Sequence, residues 1–240
     1  MLLKMRIIVF SVSFLHLVFI TLYMLSIDFT NAPDLEMRSY QYKRWGLLTS
    51  WFNLLLGPYL QLAIYCDWKE LKNDQPSKTL TNIRDVIFTS LLWPIVSFSD
   101  MFFWSLFVNN PVMMMPLMAP KYVPTWAQHS MHTVSFVIVA FDLLTKPRER
   151  PKSVKNGFYL TIAFLVLYTA VLIENMFQGI YLYPLLEILP WYKLVLFAVY
   201  AYVGHMFYYT IQWIIIDLVW RSRITSIPMN KGLEKEPKGH

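Results

Sequence analysis

The apolar positions of this chain gather into six long runs, at about 7–27, 45–66, 86–108, 126–144, 157–178 and 192–220. Crossing the hydrocarbon core of a bilayer takes roughly 20 apolar residues, so the pattern predicts an all-α membrane protein, a bundle of six transmembrane helices. Lys4 and Arg6 precede the first run as they would a signal peptide. That run is too long for a typical signal core and no small-residue cleavage site follows it, so it reads as a helix. The last run is long enough to tilt or to emerge from the membrane. Pro58 and Pro94 fall inside the second and third runs and predict kinks there. Residues 1–223 then form one transmembrane domain, and 224–240 a short, polar, disordered tail.

Charge gives the runs a direction. Sixteen Lys and Arg fall in the amino-terminal flank, the second and fourth connections and the tail, against five on the opposite side: Arg38, Lys43, Arg44, Lys121 and Lys193. The positive-inside rule places both termini in the cytoplasm. With 56% hydrophobic and 15% charged residues, against about 25% charged in an ordinary soluble domain, no separate soluble domain fits beside the spans. The net charge of +6 sits in connections and reads as orientation against acidic headgroups rather than as a nucleic-acid surface. Cys66 stands alone, which excludes an internal disulfide.

Orientation turns the polar residues inside the runs into a depth map. His129 and His132 lie one helical turn apart in WAQHSMHT at the start of the fourth run, and i, i+3 spacing puts them on one face. His132 lies about 9 Å below the outer surface at 1.5 Å per residue. Thr49, followed by Ser50 and one turn later by Asn53, enters from the same side; Asp100 and Glu174 fall in the outer halves of their helices. Asp142 and Asp217 fall at cytoplasmic helix ends, where a solvated or basic-paired carboxylate is the natural reading. His205 lies near mid-membrane and reads as a packing residue hydrogen-bonded across helices. A hydroxyl nucleophile needs a base, and histidine suits that role, so the map permits a Thr–His hydrolytic pair. Three readings stay open: that pair, structurally satisfied histidines with a threonine bonded to its own backbone, and a single zinc on His129, His132 and Asp100 or Glu174.

The six-run plan, RWGLLT, Arg84–Asp85, Trp126, the HSMHT block and the YLYP tetrad ending at Pro184 together resemble the androgen-induced / androgen-dependent TFPI-regulating protein family, the FAR-17a type. The resemblance covers nearly the whole chain to about Trp220. It implies a multipass threonine hydrolase of fatty acid esters of hydroxy fatty acids, in the endoplasmic reticulum or plasma membrane. It implies Thr49, four residues after Trp45, as nucleophile and His132 as base; neither a metal nor a cofactor is expected. The substrate is then a lipid ester with two acyl chains, the bilayer the other partner. Two departures stand out: Ser50 follows Thr49, and Gln128 replaces an expected asparagine. The resemblance names no residue that orients the histidine; Asp100 and Glu174 are candidates from depth, and His129 and Asn53 are supporting ones. A non-enzymatic multipass lipid-binding regulator or transporter is the alternative, although no inverted repeat marks a transporter.

Overall fold

The computed structural model describes residues 1–224, with side chains to Trp220. Its elements are α1 (Leu2–Ser26), α2 (Leu35–Lys43), α3 (Leu48–Leu71), α4 (Lys78–Ile87), a π-helical turn (Phe88–Leu92), α5 (Trp93–Asn109), a 3₁₀ turn (Pro111–Met113), α6 (Ala119–Tyr122), α7 (Thr125–His132), α8 (Val134–Thr145), α9 (Lys155–Phe177), α10 (Pro184–Ile188) and α11 (Trp191–Ile224). No strand occurs among the described residues. Among the described residues, five helical stretches are long and apolar enough to cross a membrane, by length and composition. The α4–α5 stretch is the one at the centre: 67% of its apolar window is buried, against 28% or less in the other four.

The expected fourth helix is present but broken at Thr133, into α7 and α8, so neither piece alone is long enough to span. Its hydroxyls explain the break. Ser130 Oγ donates to Trp126 O and Ser135 Oγ to Met131 O, and such i−4 bonds compete with the helical ladder and bend it. The two prolines behave differently. α3 runs on through Pro58, whereas Pro94 sits at the start of α5 directly behind the π-helical turn, which takes up the ladder bond that proline cannot make.

Two apolar cores fill the bundle. The larger joins α1, α3, α5, α8, α9 and α11 through Phe10, Phe52, Trp93, Ile138, Leu165 and Trp213. The smaller lies at the end of the bundle away from Arg6, where Phe29, Met37, Phe103 and Met115 meet. α11 comes so close to α5 that a Cβ at Gly204 would overlap the Phe98 ring.

At the end of the bundle that carries Arg6, the structure corrects the reading of the basic residues. Arg6, Arg84, Lys146 and Arg148 are buried rather than solvated. Arg6 pairs with Asp67 at 2.7 Å and with Asp142 at 2.8 Å, Arg148 with Asp142 at 2.8 Å, and Lys146 with Glu70 at 2.7 Å. Tyr59 donates to Asp142, and Arg148 lies over the Phe88 ring at 3.9 Å. Asp217, by contrast, is only half-buried, 4.0 Å from Arg150. Beyond Ile224, the expected tail lies outside the described residues.

Candidate active site

Thr49 sits in the first turn of α3, at a helix start fixed from outside. Leu48 N–H donates to the Tyr183 hydroxyl at 2.9 Å, Tyr183 and Tyr168 share a hydrogen bond at 3.0 Å, and Tyr168 donates to Gly46 O at 3.1 Å. This chain of bonds holds residues 46–48 between α9 and the segment ahead of α10. Desolvation keeps the Tyr183 phenol above the usual tyrosine range, so it stays a neutral partner to that backbone. First-turn amides have no intrahelical acceptor. Leu48 N–H is taken by Tyr183, and among the described residues Thr49 N–H has no acceptor, nor does the Thr49 hydroxyl have a side-chain partner.

His132, at the end of α7, reaches the same place. Its ring lies flat on Phe103, centroids 3.6 Å apart and planes within 6°, with Phe52 edge-on at 6.5 Å. Nδ1 is 2.9 Å from Asp100 Oδ1 on α5, and Ser135 donates to Asp100 Oδ2 at 2.5 Å. His132 is 5% exposed and Asp100 1%. A carboxylate bonded at Nδ1 sets both ring orientation and tautomer and leaves Nε2 as the proton acceptor. No hydrogen bond joins Thr49 to His132 directly among the described residues; such contacts are often long before substrate binds.

Two cavities meet at these residues. One, of about 460 Å³, runs between α1 and α3 from Arg44 and Tyr40 toward Pro58. The other, of about 370 Å³, runs between α5, α9 and α11 toward His205. Thr49, His132, Phe103, Met114 and Tyr183 line both. The walls are otherwise mainly apolar, so the junction is where polar chemistry meets two greasy arms.

The remaining expected residues divide. Ser50 and Asn53 line the first cavity, but Ser50 Oγ is committed to Arg44 O at 2.5 Å. The expectation that His129 and His132 face one way is corrected. His129 is exposed and stacks on Trp104 at 4.4 Å with Nδ1 3.0 Å from Thr133 Oγ1, while His132 turns inward onto Phe103. Adjacent aromatics on α5 take the two rings, and the break at Thr133 lets them part. Glu174 is exposed and accepts from Gln178, so it does not approach the site. His205 donates to Ala201 O of its own helix at 2.6 Å, not across helices. Among the described residues no three His, Cys, Asp or Glu groups converge to hold a metal. Sequence reasoning missed Ser135 and Tyr183 as parts of the site and treated Gln128 only as a departure. Gln128 is buried and lines the first cavity, and its side-chain amide has no hydrogen-bond partner among the described residues.

The family model for FAR-17a/AIG1-like proteins matches residues 4–215. Androgen-dependent TFPI-regulating protein of Homo sapiens is 31% identical over 163 residues, which is 67% of this chain and 70% of that one. The Mus musculus protein of the same name is 31% identical over 127 residues, 52% of this chain and 55% of its own. Androgen-induced gene 1 protein of Homo sapiens is 24% identical over 168 residues, 65% and 70% of the two chains. No solved structure matches the chain.

Proposed function

Because the chain belongs to the FAR-17a/AIG1-like protein family, we propose that it is a membrane-embedded hydrolase of fatty acid esters of hydroxy fatty acids, with Thr49 as nucleophile and His132 as base. The observation that carries this reading is the shared position of Thr49 and His132 at the junction of two apolar cavities, with the imidazole held on buried Asp100. An ester with two acyl chains has that shape: one polar linkage between two arms.

The chemistry follows from the placement. Thr49 Oγ1 attacks the ester carbonyl as His132 Nε2 takes its proton, and Asp100 steadies the imidazolium that forms. The new oxyanion lies at the amino-terminal, positive end of α3, where the unpaired Thr49 N–H and the Gln128 amide supply donors. His132 then protonates the departing alkoxide, releasing the hydroxy fatty acid. Water, deprotonated by the same histidine, hydrolyses the threonyl ester. Ser50 takes no part, since its hydroxyl is given to Arg44 O. In this reading α7 and α8 together form one broken span, the chain crosses the membrane six times, and both termini are cytoplasmic.

Labelling by a fluorophosphonate probe, run beside hydrolysis of the palmitate ester of a hydroxystearic acid, tests the assignment. Thr49→Ala abolishes both while expression stays near normal, and Ser50→Ala leaves most of each. Absence of labelling and hydrolysis in the unaltered, folded protein would instead favour a lipid-binding scaffold.

A further inference from the structure

Arg44 lies on the wall of the first cavity and is the only Lys or Arg lining either cavity among the described residues. The buried arginines Arg6, Arg84 and Arg148 are all in ion pairs, whereas half-buried Arg44 has no carboxylate within ion-pair distance among the described residues. One end of its guanidinium is in use: Nη1 donates to Met24 O at 2.9 Å and to Ile27 O at 3.4 Å, closing the carboxyl-terminal end of α1. The other edge is not. Nε is buried without an acceptor, and Nη2 has none among the described residues. Asp28 is close enough for the Arg44 charge to help lower its pKa, chiefly set by the Thr30 hydroxyl. Its carboxylate is nevertheless exposed and committed to Thr30 and Asn31.

Nε–H and Nη2–H form the side of the guanidinium fork that takes a carboxylate with two parallel hydrogen bonds. A cation with that edge open, flanked by the Phe29 and Trp45 rings at 5.8 and 5.7 Å, leaves a buried donor that lacks its acceptor. We infer that the open edge of Arg44 is an anion subsite of the first cavity, which holds the free carboxylate of an acidic lipid ester while its ester group lies at Thr49. Arg44 and Thr49 are five residues apart, so their separation cannot exceed about 17 Å of extended chain. The first cavity then takes the acid-bearing chain and the second the plain acyl chain. This subsite rests on the hydrolase reading for its substrate, though the binding it predicts can be measured without turnover.

The test compares the palmitate ester of a hydroxystearic acid with the methyl ester of the same molecule, the second lacking only the charge. Equilibrium binding of both radiolabelled esters is measured on Thr49→Ala protein in neutral detergent, and hydrolysis of both on the unaltered protein. The acid is expected to bind about ten- to a hundredfold tighter than its methyl ester. Adding Arg44→Gln should bring that ratio close to one, and Arg44→Lys, which keeps a donor for the α1 carbonyls, should leave it several-fold reduced. Exposed Arg38, bonded to Ala32 O outside both cavities, is the control, and Arg38→Gln leaves the ratio unchanged. Binding discrimination that depends on Arg44, with neither ester hydrolysed, would sink the hydrolase and keep the subsite. An unchanged ratio in Arg44→Gln, equal weakening of both esters as a mere helix cap would give, or no binding of either, overturns the subsite and leaves the hydrolase standing. If Arg44→Gln does not fold, an unchanged ratio in folded Arg44→Lys overturns it equally.

Discussion

His132 and His129 have the same side chain three residues apart, and their surroundings assign them different work. His132 is buried, bonded to Asp100 and open at Nε2 toward the cavities; His129 is exposed, lies on Trp104 and lines neither. His132→Ala should therefore remove hydrolysis, because an unassisted hydroxyl is a weak nucleophile. Asp100→Asn keeps the shape but disturbs the tautomer, and kcat should fall about a hundredfold or more. His129→Ala should stay within about tenfold of the starting kcat/KM. Equal loss at both histidines together with inhibition by chelators would point to a metal instead. Asp100 was legible from depth alone, since an ionisable group buried in a membrane helix needs a partner. Ser135 was not, because a serine in a helix ordinarily bonds only its own backbone. Glu174 shows the limit of depth as a guide: it shares the level of Asp100 but projects from the outer face of α9, and depth carries no information about azimuth.

At the scale of elements, long apolar runs were legible because a bilayer demands them, while the breaks within them depended on side-chain bonds that no hydropathy pattern records. The bend at Thr133 and the π-helical turn before Pro94 are of that kind. So is the buried charge cluster, since arginines in polar connections look solvated until the fold brings Asp67 and Asp142 to them. The cluster ties α1, α3 and α8 to the 146–155 connection, and it is balanced. Removing Asp142 would take a 2.8 Å ion pair from both Arg6 and Arg148, leaving Arg6 with Asp67 and Arg148 with Asp85 at 3.4 Å, one charge in excess. Breaking a buried pair on one side costs about 3–5 kcal/mol, so Asp142→Ala should markedly lower the melting temperature in detergent. Restoring charge balance by adding Arg148→Ala should recover part of the loss, the sign of direct coupling. If the double variant melts as low as the two single losses added together, the cluster is not coupled in this way. Gly204→Ala gives a second stability test at a different contact. Its added methyl meets the Phe98 ring, so destabilisation of about 1–3 kcal/mol is expected.

The whole molecule adds what no single helix carries: two cavities from separate helix groups that meet at one pair of side chains. Each wall residue reads as ordinary lipid-facing or core packing on its own, so the arms cannot be read from the sequence. The direction of the bundle is better founded. Arg6, Arg84, Lys146 and Arg148 are neutralised in ion pairs, so they weigh less in the positive-inside count. Without them twelve basic residues still face five, so the proposed orientation keeps its support from the positive-inside rule. The broken span decides the number of crossings. Residues 125–145, α7 and α8 with Thr133 between, reach about 31 Å at 1.5 Å per residue, close to the roughly 30 Å of a hydrocarbon core. The structure also puts the ends of this segment at opposite ends of the bundle. Val123 and Ala127 join the cluster around Phe29, and Thr145 accepts from Arg6 at 2.7 Å. A glycosylation acceptor on a tether long enough to reach the transferase, placed in the 109–125 connection, should therefore be modified, and one in the 146–155 connection should not. A re-entrant α7–α8 would put both connections on one side, and the two acceptors would then behave alike. The chain would cross five times, and its termini would lie on opposite sides of the membrane. Two acceptors that agree thus refute the sixth crossing, and if both are bare they also refute the placement of His132 below the outer surface.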